Sequence, residues 1–402
     1  MNTKLPGWIL AVLLPCWCQS TAAVTLAEAV DATVLKQPGG EIADARLSES
    51  RAITHQASSL FARDPKFVLE HYNDGLGSSD GAREWNAGMQ APIWLPGQRA
   101  ARRAVAQAAA GQAEAFTRAR RWNAADLVRA RLWNVVLARA RAEHAEAATA
   151  ETRRLETAVE KRVLAGDLPR SELLLAQRET LGRESELLRA NADRGAAEER
   201  WRYVTGLDEV PVDFQEAEAG DGGIHNDHPG VALELADLER AIATRDRVRG
   251  ERRASPTLSL GARHERGPDG EPWNDAVALG VNVPFGLDSQ SAPDVAAAEL
   301  ELLRARAARD KAVGVLEENL IAARAELGFA REALETARRS RRLAEESLGL
   351  QERAFEVGEA DLFRLLQVRA QALEARWDER RLELQVGRGV AACNQALGIV
   401  PE

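Results

Sequence analysis

The chain has 402 residues, of which 29% are charged and only 5% aromatic, with a formal charge of −9 and an isoelectric point near 5.5. That balance disfavours nucleic acid as a main partner, because binding a polyphosphate backbone favours a net positive surface. It also excludes a thick mixed core, since usage dominated by Ala, Arg, Glu and Leu is that of long helices and coiled coils. The arginines are interleaved with glutamates, the pattern of a solvated, mutually paired helix face.

The N-terminus reads as a signal peptide over residues 1–23. Lys4 gives the positive region, Trp8 to Pro15 the apolar segment and Thr21-Ala22-Ala23 a small-residue cleavage site. The competing reading, lipid attachment at Leu13-Leu14-Pro15-Cys16, is poorly served by a proline just before the cysteine. Cleavage removes Cys16 and Cys18, leaves Cys393 and rules out an intramolecular disulfide. Beyond residue 23 no run of 18 apolar residues occurs, so a spanning helix is not expected. A secreted chain of this kind meets a membrane through strands or from its surface.

From residue 24 onward the chain states one unit twice: a first repeat over 24–215, an acidic, glycine-rich linker over 216–227 and a second repeat over 228–402. Each unit opens with a helix, about residues 39–63 and 230–253, starting at Gln37-Pro38-Gly39 and His228-Pro229-Gly230. Two strands follow, 66–73 with 84–95 and 257–264 with 275–285, each pair joined by a turn-rich loop. A helix of about 68 residues comes next, 98–165 and 291–357, long enough to span about 100 Å. A turn at Gly166 or Gly358 leads into a return helix that ends near Gly206 or Gly398, where glycine serves as the C-cap. The matches lie 191 residues apart at Pro38/Pro229 and Pro65/Pro256, and 192 apart at Gly88/Gly280, Gly166/Gly358 and Gly206/Gly398. Tandem duplication accounts for that register.

The helical pattern is a coiled-coil seam. Val313, Leu316, Leu320, Ala323, Leu327, Ala330, Leu334 and Ala337 keep 3-4 spacing, as do Ala125, Val128, Leu132 and Val135. The strands alternate. Trp85, Ala87, Met89, Ala91 and Ile93 oppose Glu84, Asn86 and Gln90. Leu258, Leu260 and Ala262 oppose Thr257, Ser259 and Arg263, and Val277, Leu279, Val281 and Val283 oppose Asn282. One apolar and one polar face fits a small sheet packed on helix ends, or a barrel with lipid outside and water inside. Four strands cannot close a barrel alone, whereas three chains related by a rotation axis supply twelve.

The doubled unit, the strand-to-helix joints at Pro92 with Gly97 and at Pro284, the helix starts at Pro38 and Pro229 and the turns at Gly166 and Gly358 together resemble the outer-membrane efflux protein (TolC) family. The first joint, Pro92-Ile-Trp-Leu-Pro-Gly-Gln-Arg99, is similar to the Pro-x-Glu-Leu-Gly-Gly-Lys-Arg form of the heavy-metal cation efflux branch, from which Trp94 and Pro96 depart. The resemblance implies a homotrimer whose twelve-strand outer-membrane barrel continues as an α-helical barrel through the periplasm. It also implies a passive, water-filled exit duct of a tripartite pump, partnered by a periplasmic adaptor and an inner-membrane transporter. The alternatives are a periplasmic coiled-coil adaptor, which has one helical hairpin rather than two, and a secreted tethering protein, which needs no strands.

On that reading the helix-to-helix turns form the periplasmic tip. Threefold copies of Asp167, Glu359 and Asp361 set a negative field there, favouring cations. Arg170 and Arg364 hold the tip shut through carboxylates of neighbouring helices, and the turns dock the adaptor. Ordinary helix capping by Asp167 and Asp361 is the competing reading. His225-Asn-Asp-His228 has the residue types of a weak metal cluster, but a helix start at His228 explains it better, and no metal site is assigned. His71 and His264 are expected to line the wet interior of the barrel or its rim, and Trp85, Trp94 and Trp273 to form an interface belt. No catalytic or cofactor-binding motif is present, and no cofactor is expected.

Overall fold

The computed structural model describes residues 24–77, 80–252, 254–285 and 288–401; the segment 1–23, expected to be a signal peptide, lies outside them, as does Leu287 in the second strand-to-helix joint. The elements are α1 (Leu26–Lys36), α2 (Gly40–Ser58), β1 (Lys66–Asn73), β2 (Arg83–Pro92), α3 (Gln98–Leu164), α4 (Arg170–Thr205), α5 (Pro229–Gly250), β3 (Thr257–Arg266), β4 (Asn274–Asn282), α6 (Asp288–Glu356) and α7 (Leu362–Ala396). Among the described residues no helix is long and apolar enough to cross a membrane, which says nothing of a β-barrel.

Two long helices frame the molecule. In the half next to the sheet, α2 and α5 lie against α3, and α6 lies against α5. In the far half α4 packs on α3, and α7 sits between α3 and α6. The wall therefore reads α2-α3-α5-α6 near the strands and α4-α3-α7-α6 away from them. The short helices meet at a waist. Gly206, the C-cap of α4, lies beside Lys36, whose Nζ donates to the Arg202 carbonyl at 3.1 Å. Gly398, just past α7, abuts His228 and Pro229 at the start of α5.

Small residues allow the helices to approach closely. A Cβ on Gly387 of α7 would lie 2.5 Å from the Trp133 ring of α3, and one on Gly389 would press on Leu327 of α6. The seam residues are buried as their spacing predicts: Ala125, Val128, Leu132 and Val135 on α3, and Leu316, Leu320, Leu327, Ala330, Leu334 and Ala337 on α6.

Three features differ from the sequence reading. A helix, α1, precedes the first predicted one, started by a reciprocal capping box in which Thr25 and Glu28 satisfy each other's backbone N–H. Its Leu26, Ala29 and Val30 pack against Val128 and Leu132 of α3 and Trp201 of α4. Second, α2 stops at Ser58 rather than near residue 63. The carbonyls that would continue it are taken: Ser58 by Arg99 at 2.8 Å and Ser59 by Trp94 at 3.1 Å, while the Ala62 N–H donates to Pro92 at 2.9 Å. Third, residues 216–223 are no slack linker. Arg129, Asn394 and Arg331 hold Glu216, Ala217 and Glu218, and Arg324 donates to the Gly222 carbonyl.

Candidate functional site

The four strands form one antiparallel sheet in the order β1-β2-β3-β4, so the two hairpins are joined through β2 and β3. The register runs straight across. Leu69 pairs with Ala87, Ala87 with Ala262 and Ala262 with Val277; one rung closer to the helices, Phe67, Met89, Leu260 and Leu279 align. All of these point to one face, and that face is bare: Phe67 is 71% exposed, Val277 81% and Leu279 73%. The opposite face carries Glu70, Glu84, Asn86, Arg263 and Glu265. Arg263 is paired with Glu84 at 3.1 Å and also with Glu265.

Small residues line the middle of that polar face. Gly88 and Gly261 are direct partners, and a Cβ on either would come within 3.0 Å of the other strand's carbonyl oxygen. Glycine stands at both positions because the two backbones approach too closely there to leave room for side chains. The sheet thus has one polar face with a close-packed middle and one bare apolar face.

At the end of the apolar face furthest from the helices one rung reads His71, Trp85, His264, Asp275. His71 stacks on Trp85 with ring centroids 4.0 Å apart, and His264 stacks on Trp273 at 4.1 Å. Both histidines therefore lie on the apolar face at its far end, not on the polar face. Their parity is that of Leu69 and Ala262. Trp85 and Trp273 lie together at this far end of the sheet, whereas Trp94 lies in the first joint beneath Arg102, whose guanidinium is 5.2 Å from its ring centre.

The first strand-to-helix joint is rigid. Gly97 takes a left-handed conformation, φ 87°, directly before α3, and buried Gln98 receives the Leu95 N–H and the Ser255 hydroxyl on its side-chain oxygen. The Ile93 N–H crosses to the Pro256 carbonyl at 2.8 Å, tying the Pro92 joint to the second hairpin. Pro284 is exposed, and the residues that follow it, 286 and 287, are outside the described set.

The two helix-to-helix turns have one geometry. Gly166 and Gly358 are left-handed, with φ of 85° and 82°. The Asp167 N–H reaches back to Arg162 and the Glu359 N–H to Ala354, both at 2.8 Å, closing the preceding helices. The acidic residues then diverge. Asp361 caps α7, its carboxylate accepting the Arg364 N–H at 2.6 Å. Asp167 caps nothing: α4 starts at Pro169 without a side-chain cap. Asp167, Glu359, Arg170 and Arg364 are all exposed, and within the chain Arg364 reaches only Gln367. Neither arginine pairs with a carboxylate of another helix among the described residues. The cross-link between turns is instead Arg162, which donates to the Phe355 carbonyl at 3.1 Å and covers its ring. Beneath lies an apolar cluster from both hairpins, including Leu155, Val159, Leu362 and Leu365.

His228 is a cap, not a ligand. Its Nδ1 accepts the Gly230 N–H at 3.0 Å, and its ring packs edge-on to Trp122. Among the described residues no group of three or more His, Cys, Asp or Glu side chains converges as a metal site would require.

A family model described as outer membrane efflux protein matches residues 67–207, from the start of β1 to just past the end of α4. This stretch is similar to the outer membrane efflux proteins. The fold of such channels extends over both halves of the chain. The outer membrane protein VceC of Vibrio cholerae superposes with a TM-score of 0.73 at 15% identity, covering 94% of this chain and 97% of its own. The outer membrane channel CmeC of Campylobacter jejuni gives 0.67 at 14% identity, covering 100% and 95%. The open-state MtrE outer membrane channel of Neisseria gonorrhoeae gives 0.64 at 17% identity, covering 93% and 89%. No curated protein matches the sequence itself.

Proposed function

We propose that the chain is the outer-membrane exit duct of a tripartite efflux pump, working as a homotrimer. The observation that carries this reading is the pair of open edges. In one chain the sheet ends at β1 and β4, and the far half of the helical wall ends at α4 and α6. Both pairs of edges are built to be covered. β1 and β4 run in opposite directions and have eight and nine residues, so β4 of one chain extends the antiparallel ladder onto β1 of the next. On α4, Leu174, Leu181 and Leu188 recur every seven residues at 57–71% exposure. Phe329, Leu343 and Leu350 on α6, with Val357 just past its end, follow the same heptad at 57–72%. Knobs of one seam fit the holes of the other when neighbouring chains close a ring.

Three copies give twelve strands, with the apolar face toward lipid and the Glu84, Arg263 and Glu265 face toward water. Strands of eight to ten residues match the hydrocarbon thickness when tilted. The helices then extend about 100 Å into the periplasm. The tip, with Gly166, Asp167, Arg170, Gly358, Glu359, Asp361 and Arg364, meets a periplasmic adaptor and an inner-membrane transporter. Cargo moves passively through the tube. The heavy-metal branch rests on the Pro92 joint alone, where Trp94 and its Arg102 cover depart from the motif; the duct reading does not need it.

Membrane fractionation with carbonate washing, followed by mass measurement of the detergent-extracted species, tests the proposal. A trimer retained in outer-membrane pellets is the expected result. A soluble monomer overturns it.

A further inference from the structure

We propose that the outward rim of the sheet binds the phosphate of a phosphorylated lipid headgroup through Arg83 and Arg266. The inference rests on the outer-membrane reading above and adds a ligand to it. Arg83 and Arg266 are direct cross-strand partners, at the start of β2 and the end of β3, on the face that carries Trp85 and His264. Neither forms an ion pair with a described residue, and the buried Arg266 Nε has no hydrogen-bond partner. Like charges placed opposite each other on adjacent strands are destabilising unless an anion lies between them.

Nearby carboxylates do not supply that anion: of those lining the same recess, Asp74 accepts the Gly81 N–H, and Glu271 forms no ion pair with either arginine among the described residues. Glu84 and Glu265 point to the other face and hold Arg263. Asp275 lies on the outward face but is engaged by His264 at 2.5 Å. The patch thus keeps two guanidinium groups for an external ligand, and their planar forks suit phosphate oxygens.

Depth selects the source of the phosphate. From the helices outward the same face reads apolar rungs, then the stacked His71/Trp85 and His264/Trp273 pairs, then the two arginines. That is the order of acyl chain, interface and headgroup. A lipid seated there lays its chains along Leu69, Ala262 and Val277 while its phosphate reaches the rim.

Native mass spectrometry of the detergent-extracted trimer, with added diphosphoryl lipid A and separately with its dephosphorylated form, tests this. Diphosphoryl lipid A is expected to be retained by the wild-type trimer and the dephosphorylated form to be retained at least about tenfold less, the worth of one charge-assisted hydrogen bond. The double variant Arg83→Gln/Arg266→Gln should lose a similar factor, and Arg263→Gln, on the inner face, should lose none. Equal retention by wild type and double variant overturns the lipid site while leaving the duct intact. If the wild-type chain forms no membrane trimer, the duct reading itself fails.

Discussion

Arg129 of α3 grips Glu216 with both arms of its guanidinium, Nε to Oε1 at 2.8 Å and Nη2 to Oε2 at 2.5 Å, and the two side chains are only 5% and 12% exposed. A third donor, Nη1, reaches the Ile399 carbonyl at 3.0 Å, past the end of α7. One buried cation therefore joins the long helix, the connecting strap and the C-terminal segment at the waist. Asn394 completes the clasp, donating to Glu216 and the Ala217 carbonyl and accepting the Ala219 N–H.

Removing one partner of such a pair strands the other charge in low dielectric. Arg129→Ala and Glu216→Ala are each expected to cost about 3–5 kcal/mol, seen as a lowered denaturation midpoint of the purified protein. Arg129→Lys keeps the charge but loses the fork and falls between. Limited proteolysis gives an independent readout: cleavage within residues 216–223 should appear in the variants and not in the wild type.

The strap shows where reading the sequence stops. Glu216 to Gly223 has the composition of a loose linker, and nothing local marks its anchors, which lie about a hundred residues or more away on α6 and α7 as well as on α3. The long helices were legible because their seam repeats in every turn, and the strands because alternation is local. Two misses were legible in principle. Thr25-Leu-Ala-Glu28 is a capping box that announces α1, and His71 and His264 share the parity of Leu69 and Ala262. The sharing of one sheet by both hairpins was legible only through the family resemblance and not from local pattern, because pairing of β2 with β3 depends on contacts about 170 residues apart. At the turns the sequence offered capping and a charged gate for both aspartates; the fold gives the cap to Asp361 alone.

Close helix packing makes a sharp glycine contrast. Gly387→Ala drives a methyl into Trp133 and is expected to destabilise by about 1–3 kcal/mol. Gly111→Ala, on α3 with nothing within 4 Å of the added Cβ, should stabilise by about 0.5–1 kcal/mol. Paired denaturation curves decide; equal midpoints for both variants contradict the packing.

The waist should also sense acid. Burial holds the His228 imidazole below its ordinary value of about 6.5, and only the neutral ring can accept the Gly230 N–H on Nδ1. With the folded pKa below the unfolded one, the unfolded chain binds more protons in that window, so stability rises with pH through it. The contribution is complete above about pH 6.5 and is lost as pH falls toward the depressed folded value. His228→Asn keeps a helix-capping side chain without titrating, so it should flatten this part of the stability curve. His144, likewise lowered by burial and by Arg141, remains in both proteins and cancels in the comparison.

The two faces of β4 predict opposite outcomes for neighbouring residues. Val277 points to the apolar face and Ala276 to the polar one. Val277→Lys places a charge in lipid, at a cost of about 2–4 kcal/mol per chain near the bilayer midplane, and should reduce trimer in the outer-membrane fraction. Ala276→Lys should insert normally. If the two variants insert alike, the sheet does not present that face to lipid.

Asp361 has two candidate roles that a pair of substitutions separates. Its carboxylate caps α7 through the Arg364 N–H, and three copies would also contribute negative charge to the tip. Asp361→Asn retains a good cap and removes the charge; Asp361→Ala removes both and should cost about 1 kcal/mol of stability. Asp167 caps nothing, so Asp167→Asn tests charge alone. Single-channel recordings in planar bilayers read the difference. If the tip charges set the field, both asparagine variants lower cation preference while leaving the denaturation midpoint unchanged, and the alanine variant lowers both. Unchanged selectivity in Asp167→Asn and Asp361→Asn, with a lower midpoint in Asp361→Ala only, would assign Asp361 to helix capping and leave the gate to other residues.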